Sequence, residues 1–432
     1  MGWFSTGRGY SPGPRVTRID LPKESNKSFK IKTAAAIVLA AVGIFALVWA
    51  VNGLLTKEPG WTEIEAGGTD EPTCASDFVL YFNAGADGSS PTDQIKALTA
   101  LYTDVSIHAE KLFSASVTDD EIHGVGQLNV HVNQPVVLDR EAYDALALLQ
   151  KYKSREIFLA PVYEQYTTLF FCVTDEEAES LDPAVNEEQR EIIAEMVSFT
   201  SDPNHIEIIL EEGNRATLRV SDEYLAYARE NGIEIFVDLY WMKNAFAADY
   251  IAERLSAEGF TDGYLSCGEG FTRSLGGKDI SLNSTVYDRV EKNIYKAASV
   301  QFGAVKSVVI FHSFPSSKTN DKYYYQYSNG RMVTPYISAK DGLCKAPVSN
   351  LTLCSDKKSC AETMLSAKSA YVSREFDAQK LQKKLADQYG FVYSTDNTVY
   401  ISSSKIKIVD LLNDGVVSYH SQLIRQETES QS

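Results

Sequence analysis

Between Asp238 and Gly270 the chain reads DLYWMKNAFAADYIAERLSAEGFTDGYLSCGEG, and few backbone paths satisfy that string. Ile233 to Leu239 is β-rich and leads into a tight turn holding Lys243 and Asn244. Phe246, Tyr250, Ile251 and Leu255 then recur at helical spacing, Gly259 closes the helix, and Tyr264 to Ser266 return to extended structure before a glycine turn. Backbone amides at a helix N-terminus, with a lysine beside them and a glycine-rich turn opposite, favour an anionic group such as phosphate.

That order resembles the signature of the FAD:protein FMN transferases, the ApbE-like family. The family core is a hydrophobic strand, Asp-Leu-Gly-Gly-x-x-Lys-Gly, a helix with an early Asp, and Gly-Gly-Asp. Asp238, Leu239 and Lys243 match, Asp249 falls at the helical Asp, and Cys267-Gly268-Glu269 stands where Gly-Gly-Asp is expected. Tyr240 and Trp241 replace two glycines and Asn244 a third, so bulk is added, or access to positive φ lost, where backbone would approach a flavin. Elsewhere, EKLFSASVTDDEIHGVGQLN (110–129), the run 136–170, VVIFHSFPSS (308–317), MVTPYISAKDGLCKAPV (332–348) and CAETMLSAKSAYV (360–372) resemble further family segments. Together these cover most of residues 77 to 372 in the family's order.

The resemblance implies an α+β domain that binds FAD and magnesium and, if active, transfers FMN to a threonine of another protein. It implies cofactor contacts at Asp238, Lys243, Asp249, Gly268 and Glu269. Cleaving the pyrophosphate calls for a hard-oxygen magnesium site, and the family's Asp and Thr at i, i+4 correspond here to Glu362 and Ser366, on one helical face. The family's active-site histidine corresponds to Pro335, which accepts no proton, and Ser338-Ala339 stands for the following Asp-Pro. His312, on a neighbouring predicted strand, is the candidate replacement, weighed against an ordinary packed or capping histidine. Trp241 either stacks on a flavin ring or fills its space. These departures leave three readings open: a working transferase, a catalytically degenerate domain that binds a flavoprotein, a flavin or a peptide, or a structural surface domain with no small-molecule ligand.

Charge is unevenly spread. Residues 1–32 hold seven Lys/Arg against Asp20 and Glu24, a net of +5, and 33–51 are uncharged, so the overall −17 leaves −22 for the remainder. Such an acidic body excludes nucleic acid as a partner, because phosphate binding needs a basic surface. Thr33 to Val51 is uncharged for 19 residues, with Lys30 and Lys32 directly before it, which predicts one uncleaved membrane helix with its N-terminus in the cytoplasm, in preference to a cleavable signal peptide or a buried core helix. The expected organisation is a basic cytoplasmic tail (1–32), a transmembrane helix (33–51), a tether (52–76), an extracytoplasmic ApbE-like domain (77–423) and a polar tail (424–432). A flavoprotein acceptor at a bacterial cell surface is the partner this setting implies.

In an oxidising compartment the six cysteines could form up to three disulfides, with a local bridge expected among Cys344, Cys354 and Cys360. β-rich pieces are expected at 78–82, 127–132, 206–210, 216–220, 234–239, 307–311, 391–395 and 398–402. Helices are expected near 91–114, 139–152, 184–198, 221–230, 245–258, 286–298, 359–371 and 376–388. Lys322 to Tyr327 (KYYYQY) reads as a strand with alternate tyrosines facing the core.

Overall fold

The computed structural model describes residues 57–276, 281–316, 321–415 and 417–424. The predicted membrane segment, the basic tail before it and the polar end from 425 lie outside these residues. Among the described residues no helix is long and apolar enough to cross a membrane.

Among the described residues nine strands form the main sheet and lie in it in chain order. They are β1 (Gly60–Ile64), β2 (Phe78–Ala84), β3 (Gly263–Cys267), β4 (Phe271–Ser274), β5 (Ser307–His312), β6 (Asn350–Ser355), β7 (Gly390–Thr395), β8 (Thr398–Ile401) and β9 (His420–Leu423). Every neighbouring pair is antiparallel except β8 with β9. Four helices matter for the site: α1 (Pro91–Phe113), α2 (Ala160–Phe170), α3 (Lys243–Ala257) and α4 (Cys360–Tyr371).

Strand alternation sends side chains into two cores. Val309 and Phe311 of β5 join Leu80, Leu351 and the helices in one cluster, while Val308 of the same strand joins a second cluster with the long hairpin Ser281–Val290 and Asn293–Ala304. α1 starts where Ser90 accepts a bond from the Asp93 amide and Pro91 sets the first turn. Its Leu98, Tyr102, Val105, Ala109 and Leu112, spaced by three and four, are buried. α3 buries Phe246, Tyr250, Ile251 and Leu255 as their spacing required, and Gly259 takes φ +90° just beyond its end.

Several expectations are corrected. Ile233–Leu239 belongs to no strand. Instead the Asn129 side chain bonds it like a neighbouring strand, accepting from Phe236 N and Val237 N and donating to Val237 O. The β-rich 127–132 carries the short helix Gly126–Val130, and 286–298 is hairpin rather than helix. Ordered structure begins before Asp77: β1 pairs with β2, and Ile64 and Cys74 are buried, so residues 60–76 are no loose tether. All six cysteines are free thiols, most of them buried, so the expected bridge among Cys344, Cys354 and Cys360 is absent. The tyrosine run does not alternate; Tyr324 and Tyr325 are both buried, around a strand of two residues.

Candidate functional site

The stretch before α3 turns sharply at Tyr240, whose φ of +45° is one that glycine adopts freely. The strain is offset by packing: Tyr240 stacks on Tyr163 of α2 with ring centroids 4.1 Å apart and 13° between planes. Asp238 steadies the turn, its Oδ1 accepting from Tyr240 N at 2.8 Å, and burial raises its carboxyl pKa. Lys243 opens α3, yet its ammonium does not stand free. Nζ donates to Glu110 Oε2 on α1 at 2.9 Å; burial would lower its pKa, but Glu110 and Asp77 outweigh that and hold it above the ordinary lysine value.

Asn244, where the family has glycine, bridges two acids. Its Nδ2 donates to Asp77 Oδ2 at 3.2 Å and to Glu269 Oε2 at 2.9 Å, while its Oδ1 has no partner among the described residues. Burial, reinforced by repulsion from Asp77, pushes the Glu269 pKa up to about 7. Glu269 is held there by the β3–β4 turn, which passes so close to β5 that a Cβ on Gly270 (φ +99°) would lie 2.1 Å from Ile310 O. Gly268 sits in the same turn, its carbonyl accepting from Ser316 Oγ at 2.9 Å.

Trp241 points inward and meets Tyr336 and Phe311 edge-on, at 5.1 and 6.1 Å between centroids. With Glu269, Tyr323, Tyr324, Pro335 and Tyr336 it encloses about 10 Å³, the volume of a single water at most. Pro335, the position corresponding to the family's histidine, therefore lies against Trp241 and Glu269 with the intervening space filled. His312 is no replacement. It follows Phe311 on β5 and so projects to the opposite face, against Tyr287 and Phe314, with Nδ1 3.2 Å from Asn350 Nδ2 and its pKa lowered by burial to about 4.

Asp249 is fully engaged in holding helices together. It accepts from Arg273 Nε (3.0 Å), Cys360 N (2.8 Å) and Ala361 N (2.9 Å), so one carboxylate of α3 ties a buried arginine to the first turn of α4. Glu362 pairs with Lys358 at 3.0 Å. Ser366 Oγ donates to Glu362 O (2.7 Å) and lies 2.8 Å from the Tyr389 hydroxyl. Among the described residues no group of three or more His, Cys, Asp or Glu is placed to hold a metal. One carboxylate already on a lysine, and one hydroxyl already bonded, do not fit a magnesium ion that wants an octahedron of hard oxygens.

An open cleft remains beside the lysine turn. Its volume is about 540 Å³, and Glu110, Tyr163, Glu164, Asp238, Tyr240, Lys243 and Tyr323 are among its walls. Asp238 and Lys243 thus share one cleft, Glu269 lies behind Asn244, and Asp249, Glu362 and Ser366 serve the α3–α4 junction. Sequence reasoning missed Glu110, Asp77, Tyr163 and Tyr323, which reach the site from distant segments and carry no local motif.

The fold is shared with a solved structure. The ApbE protein of Thermotoga maritima is similar over 78% of this chain and 94% of its own, with a TM-score of 0.51 and 14% identity. The fold is ApbE-like. The flavin transferase ApbE of Vibrio cholerae is also similar, over 81% of this chain and 99% of its own, at TM-score 0.48 and 14% identity. No family model and no curated protein matches the chain. At this identity the likeness is one of fold, and the ApbE-like domain here is a divergent one.

Proposed function

We propose that this chain is a single-pass membrane protein whose extracytoplasmic ApbE-like domain binds a partner at a bacterial cell surface without transferring a flavin. The observation carrying this reading is the filled space between Trp241, Glu269 and Pro335, where only about 10 Å³ is left. Three further features support it: Lys243 is bonded to Glu110, Asn244 to Asp77 and Glu269, and Glu362 to Lys358. FAD and magnesium, which the resemblance implies, do not fit these residues, so no catalytic step is assigned to them. The uncharged run 33–51 behind Lys30 and Lys32 supports the anchor, with the basic tail 1–32 in the cytoplasm. A flavoprotein or a peptide segment is the partner class.

The second reading, Mg-dependent transfer of FMN from FAD to a threonine of a flavoprotein acceptor, is favoured by the fold itself. The two readings separate in one assay. Full-length chain is incubated with FAD, magnesium and a threonine-bearing acceptor, and the acceptor is inspected by in-gel flavin fluorescence. A dark acceptor band is expected; a fluorescent one would establish the transferase.

A further inference from the structure

We infer that the cleft beside the lysine turn receives an organic cation, a primary ammonium or guanidinium group, rather than an anionic nucleotide. This deepens, and rests on, the reading of the domain as a non-catalytic binder.

The charge of the cleft argues for it. Among the described residues the one lysine on its walls, Lys243, is bonded to Glu110. Glu164 and Glu234 remain on the rim, both exposed and neither with a side-chain partner among the described residues. Asp238 supplies a further, independent feature. It is partly buried on the cleft wall, one carboxylate oxygen takes the Tyr240 amide, and the other has no hydrogen-bond partner among the described residues. A carboxylate oxygen left over at a cleft wall is stabilised by an incoming N–H donor and destabilised by a phosphate. The acidic body, −22 beyond the first 51 residues, would steer cations toward it.

The aromatic walls fit the same ligand. Tyr163 and Tyr240 are stacked, and Tyr323 meets Tyr240 edge-on at 5.7 Å and 79°, which makes a corner of rings next to the carboxylates. Ring faces attract ammonium and guanidinium groups. Tyr323 already does so within the chain, since Lys322 Nζ lies 5.0 Å from its ring centroid. The cleft's roughly 540 Å³ accommodates a lysyl or arginyl side chain with its flanking backbone.

The test is calorimetric titration of the full-length chain, in detergent, with a capped tripeptide Ala-Lys-Ala, its acetyl-lysine counterpart and 1,5-diaminopentane. The lysine peptide is expected to bind, and acetylation to weaken it about tenfold or more, because the charge is lost from both the rings and the carboxylates. The exposed double variant Glu164→Gln, Glu234→Gln, checked for an unchanged circular dichroism spectrum, should bind about fivefold more weakly. Equal affinity for diamine and peptide would mark a free amine as the ligand, and a tenfold preference for the peptide would mark a partner's segment; both support the inference. Equal affinity for lysine and acetyl-lysine peptides, or no saturable heat below about 5 mM, would overturn it. FMN transfer in the acceptor assay would instead overturn the binder reading on which it rests, so the two failures are told apart.

Discussion

Replacing Asp249 by asparagine is expected to lower stability by about 3–5 kcal/mol, the range for removing one partner of a buried ion pair. Arg273 is 5% exposed, and its other acidic neighbour, Glu253, lies 3.8 Å away and is itself 63% exposed. Without the Asp249 charge the guanidinium stays buried and poorly compensated. The same carboxylate accepts from Cys360 N and Ala361 N, two donors that the α4 helix cannot satisfy internally. Asparagine keeps one acceptor oxygen but turns an amide donor toward groups that are donors themselves. Urea unfolding followed by far-ultraviolet circular dichroism measures the loss. A loss under about 1 kcal/mol would mean that Asp249 does not tie α3 to α4 and stands available for a ligand, as the family resemblance implies.

Glu269 makes the second large effect, and it depends on pH. Burial and Asp77 raise its pKa from 4.5 to about 7, so the folded chain holds a proton that the unfolded chain releases. Stability from this group is complete below the unfolded value and is lost as pH rises through the folded one. Across the window from about pH 4.5 to 7 the loss is on the order of 3 kcal/mol. Glu269→Gln removes the titration and keeps an acceptor for Asn244, adding a donor near Asp77. The variant should therefore be the more stable protein at pH 8, by about 2–3 kcal/mol, and should lack the wild-type decline between pH 5 and 7. Parallel stability curves for the two proteins would contradict this account of the buried acid.

What the sequence made legible was local. The helix after Lys243 was readable from Phe246, Tyr250, Ile251 and Leu255, and the turn at Gly270 from its glycines, because both patterns lie within a few residues. Where one distant side chain decides, the pattern misled. Ile233–Leu239 has strand composition, but its bonding partner is Asn129, and no periodicity announces an asparagine standing in for a strand. The run 286–298 places apolar residues at helical spacings, yet the Ser281–Val290 and Asn293–Ala304 strands bury theirs against β5 to β8. Asp249 matched a family position by spacing, while its contacts with Arg273 and Cys360 come from packing across 24 and 111 residues. The expected disulfide came from compartment and spacing alone. Cys354 and Cys360 are instead buried thiols, one in β6 and the other at the start of α4, its Sγ donating to Thr272 O at 3.3 Å.

The replacements Tyr240, Trp241 and Asn244 were visible as bulk in place of glycine, and the structure gives that bulk a destination. Trp241 occupies the space against Pro335, Tyr240 the stack on Tyr163, and Asn244 the bridge between Asp77 and Glu269. On the proposed reading of the domain as a non-catalytic binder, these side chains take room that a flavin would need. Titrating FAD into the full-length chain with magnesium present, and following flavin fluorescence, tests this most directly. No saturable binding is predicted up to about 1 mM FAD, whereas a stoichiometric transition with a Kd near 1 μM, on the order of 8 kcal/mol of binding free energy, would contradict a closed flavin site.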